Sequence, residues 1–198
     1  MSDNERLLLE KAKSGDVAAF ESLIQGCQKK VFNIALRMLE NKDDAFEVSQ
    51  EVFIKIFRSL SNFKGNSSFS TWVYKITVNI CLDEIRKRKN ARVLSLDETV
   101  KYKDSEVQLQ IQDDGPTPDI EAEKNEIKRV VNNAIKDLNE EHRMVIILRD
   151  IQGFSYEEIS QMTSCPEGTV KSRLNRARQS LKEILKSKKE LFDNAYVK

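Results

Sequence analysis

Apolar residues recur at intervals of three and four along most of this chain, which is the period of an α-helix with one buried face. The longest regular stretch runs from about Val17 to Leu39, after a stop at Ser14-Gly15-Asp16 and before a break at Asn41 to Asp43. This pattern predicts a core helix of about six turns. Its inward side chains are Phe20, Leu23, Ile24, Cys27, Val31, Ile34, Ala35 and Met38.

Three more helices are predicted in the N-terminal half. The first runs from Asn4 to Lys13. The second runs from about Asp44 to Leu60 and turns inward Ala45, Val48, Val52, Phe53, Ile56 and Leu60. The third runs from Trp72 to about Lys89, with Ser70 or Thr71 as its cap. We expect its buried side to consist of Trp72, Val73, Ile76 and Ile80.

The exposed side of the Trp72–Lys89 helix has a distinct chemistry. It aligns Lys75, Asn79, Asp83 and Arg86, and it leads into a run of cations from Arg86 to Lys89, with Arg92 close behind. Cations at a helix C-terminus complement the helix dipole. Five in seven positions exceed that need, so contact with phosphates is a second explanation.

The segment before this helix, from Ser61 to Thr71, is rich in small polar residues but contains Phe63 and Phe69. Such a loop is either packed down by its aromatic side chains or presents them as stacking platforms for unpaired bases. The pattern alone allows both.

The C-terminal half predicts four more helices. One is capped by Asp119 and buries Ile127, Val130, Val131, Ala134, Ile135 and Leu138. The next is capped by Asn139, ends at Gly153 and buries Met144, Ile147, Leu148 and Ile151. Ser155 and Glu158 then form a capping box that starts a short helix with Ile159 and Met162 inward. Pro166 must lie at the start of a new helix, because it has no amide to donate inside one.

These last two helices form a predicted helix-turn-helix. The second has an apolar stripe of Val170, Leu174, Ala177, Leu181 and Leu185. Its opposite face carries Lys171, Ser172, Asn175, Arg176 and Gln179, with Arg173 and Arg178 on the flanks. In a helix-turn-helix such a face enters the DNA major groove. The same spacing also describes an ordinary amphipathic helix with a solvated basic face.

Charge is unevenly distributed although the net charge is only +1. Residues 97–126 contain ten acidic and three basic side chains, and Gln112 to Pro118 cannot sustain a helix. Residues 171–189 contain eight basic side chains and one acidic one. We therefore expect an all-α fold of two small helical domains, 1–93 and 123–190, joined by a flexible acidic linker, 94–122, and followed by a tail, 191–198. The second domain contains the helix-turn-helix.

Catalysis and metal binding have little support. The three cysteines, Cys27, Cys81 and Cys165, lack the paired spacing of a zinc site and are interpreted as reduced packing residues. His142 is interpreted as a surface residue without a catalytic partner. No nucleophile with a base, carboxylate dyad or phosphate-binding glycine loop is found, so no catalytic residue and no cofactor is assigned. No apolar run is long enough to span a membrane, and a cytoplasmic location is expected.

Three motifs in order resemble the extracytoplasmic-function (group 4) sigma factors of the bacterial sigma-70 family. They are Ala45-Phe46-Glu47-Val48-Ser49-Gln50-Glu51-Val52-Phe53, then Phe69 to Ile76 with Asn79 and Asp83, then Cys165 to Arg173 with Arg176-Ala177-Arg178. The resemblance extends from Gly15 to Lys186. It implies an RNA polymerase sigma factor that directs core enzyme to the promoters of an envelope- or stress-response regulon.

The resemblance also implies a role for each domain. The first, sigma region 2, would bind core polymerase through the coiled coil of the β′ subunit, using Glu47, Gln50, Glu51, Lys55 and Arg58. It would also recognise and melt the −10 element, with an extruded base held near the loop. The implied −10 residues are Lys64, Gly65, Asn66, Ser67, Ser68, Phe69, Trp72, Lys75, Asn79, Asp83, Arg86 and Arg88. For Trp72 a wall beside the melted junction and a core role both remain open.

The second domain, sigma region 4, would recognise the duplex −35 element and contact the polymerase β flap. The implied −35 residues are Glu167, Gly168, Thr169, Lys171, Ser172, Arg173, Asn175, Arg176, Arg178 and Gln179. An anti-sigma factor is a further implied partner. The competing hypothesis is a stand-alone helix-turn-helix regulator whose N-terminal domain senses a ligand or dimerises.

Overall fold

The computed structural model describes the backbone of residues 3–94 and 118–195, and the side chains of residues 4–91 and 126–188. Every regular element in these ranges is helical, as predicted. The elements are α1 (Asp3–Lys13), α2 (Val17–Leu39), α3 (Lys42–Ser59), a 3₁₀ turn (Leu60–Asn62), α4 (Phe69–Leu94), α5 (Pro118–Lys136), α6 (Glu140–Ile146), a π-helical turn (Ile147–Ile151), α7 (Tyr156–Thr163) and α8 (Glu167–Ala195).

Helix α2 is the centre of the N-terminal core, in contact with α1, α3 and α4. All eight of its predicted inward residues are buried, and Val31, Ile34 and Ala35 have no exposed surface. The Asp16 carboxylate accepts from the Ala19 amide at 3.0 Å and caps the helix start. The helix ends at Leu39, as predicted.

Helix α4 begins earlier than predicted. Neither Ser70 nor Thr71 is its cap, because the Ser68 hydroxyl accepts the Thr71 amide at 3.0 Å and the helix begins at Phe69. The buried side is also shifted. Val73 and Ile80 are buried, but Trp72 and Ile76 are only half-buried, and the remaining buried positions are Tyr74, Thr77, Val78 and Cys81. Phe53 of α3, predicted inward, is likewise only half-buried.

In the C-terminal half, α5 starts at Pro118, so residues 118–122 of the predicted linker are helical. Ile127 is 57% exposed, contrary to prediction. Burial rises along α5 towards its C-terminal end, where Ala134, Ile135 and the following Leu138 are buried. The Asn139 side chain accepts from the His142 amide at 2.9 Å and caps α6, as predicted.

The π-helical turn after α6 buries Ile147 and Leu148, with Ile151 half-buried, and Gly153 then reverses the chain at a φ of 76°. Helix α8 extends to Ala195, so the predicted tail is helical over its first five residues. Most of the predicted linker, residues 95–117, lies outside the described residues. Contacts group α1–α4 and α7 into one compact unit and α5, α6 and α8 into another. The predicted domain boundaries stay a prediction.

Candidate nucleic-acid interface

Helix α8 presents the polar face that its sequence predicts. The carbonyl of Pro166 accepts the Val170 amide at 3.0 Å, which places the proline just before the first helical turn. Val170, Leu174 and Ala177 are buried beneath the helix, and Leu181 and Leu185 are half-buried. The exposed residues of the predicted set are Glu167, Gly168, Thr169, Lys171, Ser172, Asn175, Arg176, Arg178 and Gln179.

Two arginines on this face differ in their surroundings. Arg176 is exposed and makes no ion pair with any described residue. Arg178 donates to both carboxylate oxygens of Asp150, from Nε at 3.1 Å and from Nη2 at 2.5 Å. This hydrogen bonding raises the pKa of the Arg178 guanidinium above its ordinary value. With Nε and Nη2 engaged, Arg178 would have to use its remaining N–H groups, or leave Asp150, in order to bind a phosphate.

Other cations of α8 are also paired. Arg173 lies 3.2 Å from Glu141 and is largely covered, and Lys171 lies 3.5 Å from Glu167 on its own helix. The Tyr156 ring has two cations over it, Arg149 at 4.7 Å and Lys171 at 5.4 Å from its centroid. Sequence reasoning missed Asp150, Arg149 and Tyr156, because no local pattern connects them to α8.

The loop before α4 is packed down by its aromatic residues. Phe63 and Phe69 are 5% and 2% exposed, and their ring centroids lie 5.9 Å apart in an edge-to-face contact. Trp72 packs on both, at 5.1 and 6.0 Å, yet keeps part of its surface exposed. Of the two explanations offered by the sequence, the packed loop is therefore the correct one. The predicted −10 residue Phe69 is buried and supports the loop from beneath, and its contact with DNA stays a prediction.

The residues between these aromatic anchors are accessible. Lys64, Gly65, Asn66 and Ser68 are exposed, and Ser67 is half-buried. Gly65 adopts a φ of 75°, a conformation that glycine accepts without steric cost. The Ser68 hydroxyl also lies 2.7 Å from the Thr71 hydroxyl and 3.0 Å from that of Ser70. The loop is thus fixed at its second end by a network of hydroxyl groups.

The polar line on α4 is present. Asn79, Asp83 and Arg86 are exposed and Lys75 is half-buried, so all four reach the surface. Arg86 donates to Asp83 at 3.0 Å, but this pair is well exposed and such pairs contribute only about 0 to 1 kcal/mol. A phosphate can replace Asp83 as the partner of Arg86 at little cost.

Arg88 is held more firmly. It lies 2.8 Å from Asp44 at the start of α3 and 3.2 Å from Glu84 on its own helix. Partial burial lowers the pKa of Arg88, but the hydrogen bonds that its guanidinium donates to Glu84 and Asp44, together with their negative charges, outweigh that effect and raise it. Lys87 also has a partner, Glu84 at 3.7 Å. The cationic run is therefore partly neutralised, and Arg88 connects α4 to α3.

Helix α3 presents its predicted polar face. Glu47, Gln50, Glu51, Lys55 and Arg58 are all exposed, and none makes an ion pair with another described residue. Apolar side chains accompany them: Phe46 is 58%, Ile54 52% and Phe57 43% exposed. Phe46, Gln50, Ile54 and Phe57 follow one another at spacings of four, four and three, along one side of the helix. Exposed apolar clusters of this kind are typical of protein-binding surfaces, and sequence reasoning had missed the three apolar residues.

The cysteines show no sign of a reactive centre. None forms a disulfide, and the described residues contain no cluster suited to a metal ion. Burial raises the pKa of the Cys27 thiol, against a hydrogen bond with Tyr74, and burial raises that of Cys81 to about 12. Contrary to its surface assignment, His142 is partly covered, and its Nδ1 is buried without a hydrogen-bond partner among the described residues. Over the same part of the chain no helix is long and apolar enough to cross a membrane.

Comparison with protein families gives two matches in this chain. Residues 23–91 match Sigma-70 region 2, and residues 128–181 match Sigma-70, region 4. The first range contains α3, the loop and most of α4, and the second contains the predicted helix-turn-helix. Both sets of surfaces described above lie within the matched ranges.

Curated relatives match over nearly their full length. The chain is 34% identical to the RNA polymerase sigma-H factor of Pseudomonas aeruginosa, covering 92% of this chain and 94% of that protein. It is 35% identical to the ECF RNA polymerase sigma-E factor of Haemophilus influenzae, covering 89% of this chain and 93% of that protein. It is 32% identical to the ECF RNA polymerase sigma factor SigW of Bacillus subtilis, covering 90% of this chain and 95% of that protein.

Solved structures with a similar fold include the sigma factor RpoE from Bartonella quintana, in complex with the anti-sigma factor NepR. That likeness has a TM-score of 0.67 at 24% identity and covers 84% of this chain and 96% of the other. The structure of CnrH in complex with the cytosolic domain of CnrY gives a TM-score of 0.64 at 24% identity, covering 93% and 99%. At this identity the likeness supports the fold.

Proposed function

Because this chain belongs to the extracytoplasmic-function branch of the sigma-70 family, we propose that it directs core RNA polymerase to specific promoters and promotes initiation there. The observation that carries this proposal is the presence, in one chain and in the family's order, of both regions with their polar surfaces exposed. The polymerase supplies the catalysis, and this chain supplies binding energy and placement.

The α8 face reads the −35 element in this proposal. Arg176 is exposed and unpaired among the described residues, so it can donate to a base edge without first breaking an ion pair. Asn175 and Gln179 flank it with amide donors and acceptors. Lys171 and the first turn of α8 lie where backbone amides and positive charge favour a phosphate.

The loop and α4 act on the −10 element. Lys64, Gly65, Asn66, Ser67 and Ser68 provide small, accessible polar groups beside the half-exposed Trp72 ring. Extruding a base costs a few kcal/mol, which contacts to the released base must offset. Asn79 is exposed further along α4, together with Lys75, Asp83 and Arg86. These residues would hold the separated strand while Arg88 maintains the spacing of α3 and α4.

Helix α3 is the proposed surface for the coiled coil of the polymerase β′ subunit. Its polar residues Glu47, Gln50, Glu51, Lys55 and Arg58 set the register. The exposed Phe46, Ile54 and Phe57 add apolar area, which provides most of the affinity in protein interfaces. Region 4 would reach the β flap. An anti-sigma factor that covers these surfaces is a further expected partner. Because bacterial transcription takes place in the cytoplasm, we place the protein there.

Transcription in a purified system tests the proposal. Core polymerase with the full-length protein should initiate at specific promoters that core enzyme alone ignores. Within that system Arg176→Ala should lose discrimination at one −35 base pair by about 1 to 3 kcal/mol. Asn79→Ala should impair opening while binding to the −35 duplex is retained.

Gel shifts of the free protein provide the control. A sigma factor should bind duplex promoter DNA weakly without polymerase, whereas a stand-alone regulator should bind it tightly, usually as a dimer on paired half-sites. Failure to bind core enzyme, or to redirect it to any promoter, would refute the proposed function. Retained opening by Asn79→Ala would remove that residue from the site without affecting the rest.

A further inference from the structure

Lys13 reaches from α1 to the loop that precedes α4. Its ammonium group donates to the backbone carbonyl of Phe63 at 2.8 Å, across fifty positions of sequence, in a partly buried environment. The same nitrogen lies 5.9 Å from the centroid of the Phe63 ring. One side chain therefore contacts both the backbone and the ring of a single residue.

The position of that carbonyl is what gives the contact its importance. Phe63 ends the 3₁₀ turn, and its amide donates a hydrogen bond to the Leu60 carbonyl at 3.1 Å. The segment Lys64–Ser68, most of which is exposed, begins at the next residue. At its other end the segment is fixed by the Ser68 cap of α4. The Lys13 contact thus lies at the point where the backbone enters the loop.

A purely local role for Lys13 does not explain this geometry. It is the last residue of α1, where a cation can stabilise its own helix through the dipole and the terminal carbonyl groups. The terminal carbonyls of Glu10, Lys11 and Ala12 instead accept from the amides of Ser14 to Asp16. The Lys13 ammonium is directed away from its own helix, to Phe63. Helix α1 also lies outside the range matched by the family, which begins at residue 23.

We propose that Lys13 is a positioning residue for promoter opening: it holds the Lys64–Ser68 loop in the conformation that accepts the extruded −10 base, without touching DNA. The inference rests on the proposed function of that loop. A charged donor on a partly buried carbonyl makes one of the stronger protein hydrogen bonds, so its loss should be measurable at the loop.

The test compares three full-length variants in the holoenzyme. Lys13→Met keeps the aliphatic stem and removes the donor, Lys13→Arg keeps a cationic donor, and Lys11→Met removes an exposed cation from the same helix. Opening is followed by the fluorescence of 2-aminopurine placed at the extruded −10 base of a duplex promoter. Lys13→Met should open roughly tenfold more slowly, Lys13→Arg should recover most of the rate, and Lys11→Met should match the unmodified protein.

Two further measurements separate positioning from general loss of structure. The affinity of Lys13→Met for core polymerase and for a −35 duplex should be unchanged. On a promoter whose −10 region is already unpaired, most of its defect in opening should disappear. In the free protein, Lys13→Met should show faster hydrogen exchange than Lys11→Met at the Phe63 amide, which donates to the Leu60 carbonyl beside the Lys13 contact, while the α2 amides stay protected. The exchange experiment needs no polymerase, so it judges the contact even if Lys13→Met cannot assemble.

The outcomes distinguish this inference from the function on which it rests. If the unmodified protein redirects polymerase but Lys13→Met opens the duplex as fast as Lys11→Met, the inference is wrong and the sigma-factor function stands. Unchanged exchange at the Phe63 amide would also overturn it. If the unmodified protein does not redirect polymerase, the proposed function fails before any variant is compared.

Discussion

Arg176 and Arg178 lie two positions apart on α8 and both are exposed, but they are available for different interactions. The Arg176 guanidinium has no carboxylate partner among the described residues, whereas that of Arg178 is held by both oxygens of Asp150. We expect Arg176 to contact a base edge and Arg178, on the flank of the predicted DNA face, to contact a phosphate. The second assignment stays a prediction, with the Asp150 pair as its alternative.

A double-mutant cycle tests whether Arg178 acts through Asp150. If the pair aligns α8 on the preceding turn, Asp150→Asn and Arg178→Ala should each weaken −35 binding, and the double variant should be no weaker than either. Affinity for the −35 duplex, measured in the holoenzyme, gives the coupling energy. Tighter binding by Asp150→Asn would instead show that Arg178 is a phosphate contact restrained by Asp150.

Thiol reactivity should follow burial. At pH 8 the Cys81 thiol, with a pKa raised to about 12 by burial, stays protonated, and the raised pKa of Cys27 acts in the same direction. Cys165 is the partly exposed thiol. We therefore expect a maleimide to modify Cys165 first in the folded protein and all three after denaturation, as mass spectrometry of the labelled peptides would show. Early labelling of Cys81 would contradict the packing around it.

At the residue scale, the sequence predicted which positions are exposed better than it predicted their partners. The faces of α3 and α8 follow from helical period, which is local information. The pairs Arg178–Asp150 and Lys13–Phe63 span 28 and 50 positions and depend on how helices pack together. Such long-range pairs have no local sequence pattern, so they could not be predicted.

At the scale of elements, caps explain two correct helix starts and one wrong start. Asp16 and Asn139 cap α2 and α6 where the sequence placed those starts. The start of α4 was misjudged because Ser68, Ser70 and Thr71 are all good caps, and only packing selects among them. Phe69 is buried under the loop as the first residue of the helix, so the residue before it, Ser68, is the cap.

The Asn139 cap should contribute measurably to stability. Asn139→Ala removes the acceptor for the His142 amide at the start of the short helix α6, so unfolding should become easier by about 1 kcal/mol. Asn133→Ala, an exposed position inside α5, should be neutral or slightly stabilising because alanine favours helix. Chemical denaturation of both variants checks this, and equal stabilities would argue against the cap.

For the whole molecule, the distribution of charge matters more than its sum. The near-zero net charge combines an acidic segment, residues 97–126, with a strongly basic one, residues 171–189. Yet four cations of α8 have carboxylate partners, namely Lys171, Arg173, Arg178 and Lys188. Among the described residues of that stretch, Arg176, Lys182 and Lys186 are the cations left without one.

Salt dependence measures how many of these cations meet phosphates. Counterion release gives a slope of about −0.9 in log K against log salt for each phosphate neutralised. If only the three cations without a carboxylate partner among the described residues meet phosphates, the slope for binding to a −35 duplex should be about −3, whereas all eight would give about −7. Measuring the affinity for the duplex at several salt concentrations distinguishes the two slopes. The steeper slope would mean that DNA displaces the intramolecular carboxylates.

The loop between Phe63 and Ser68 is fixed at both ends and exposed in the middle. Its anchors are buried rings, a lysine from α1 and a helix cap, none of which depends on the identity of Lys64, Asn66 or Ser67. Substitutions at those three positions therefore cost little folding free energy. If the loop accepts the extruded −10 base, as proposed, promoter preference can change there while the domain stays folded, and this segment would be the one to substitute when a sigma factor is engineered for a new promoter.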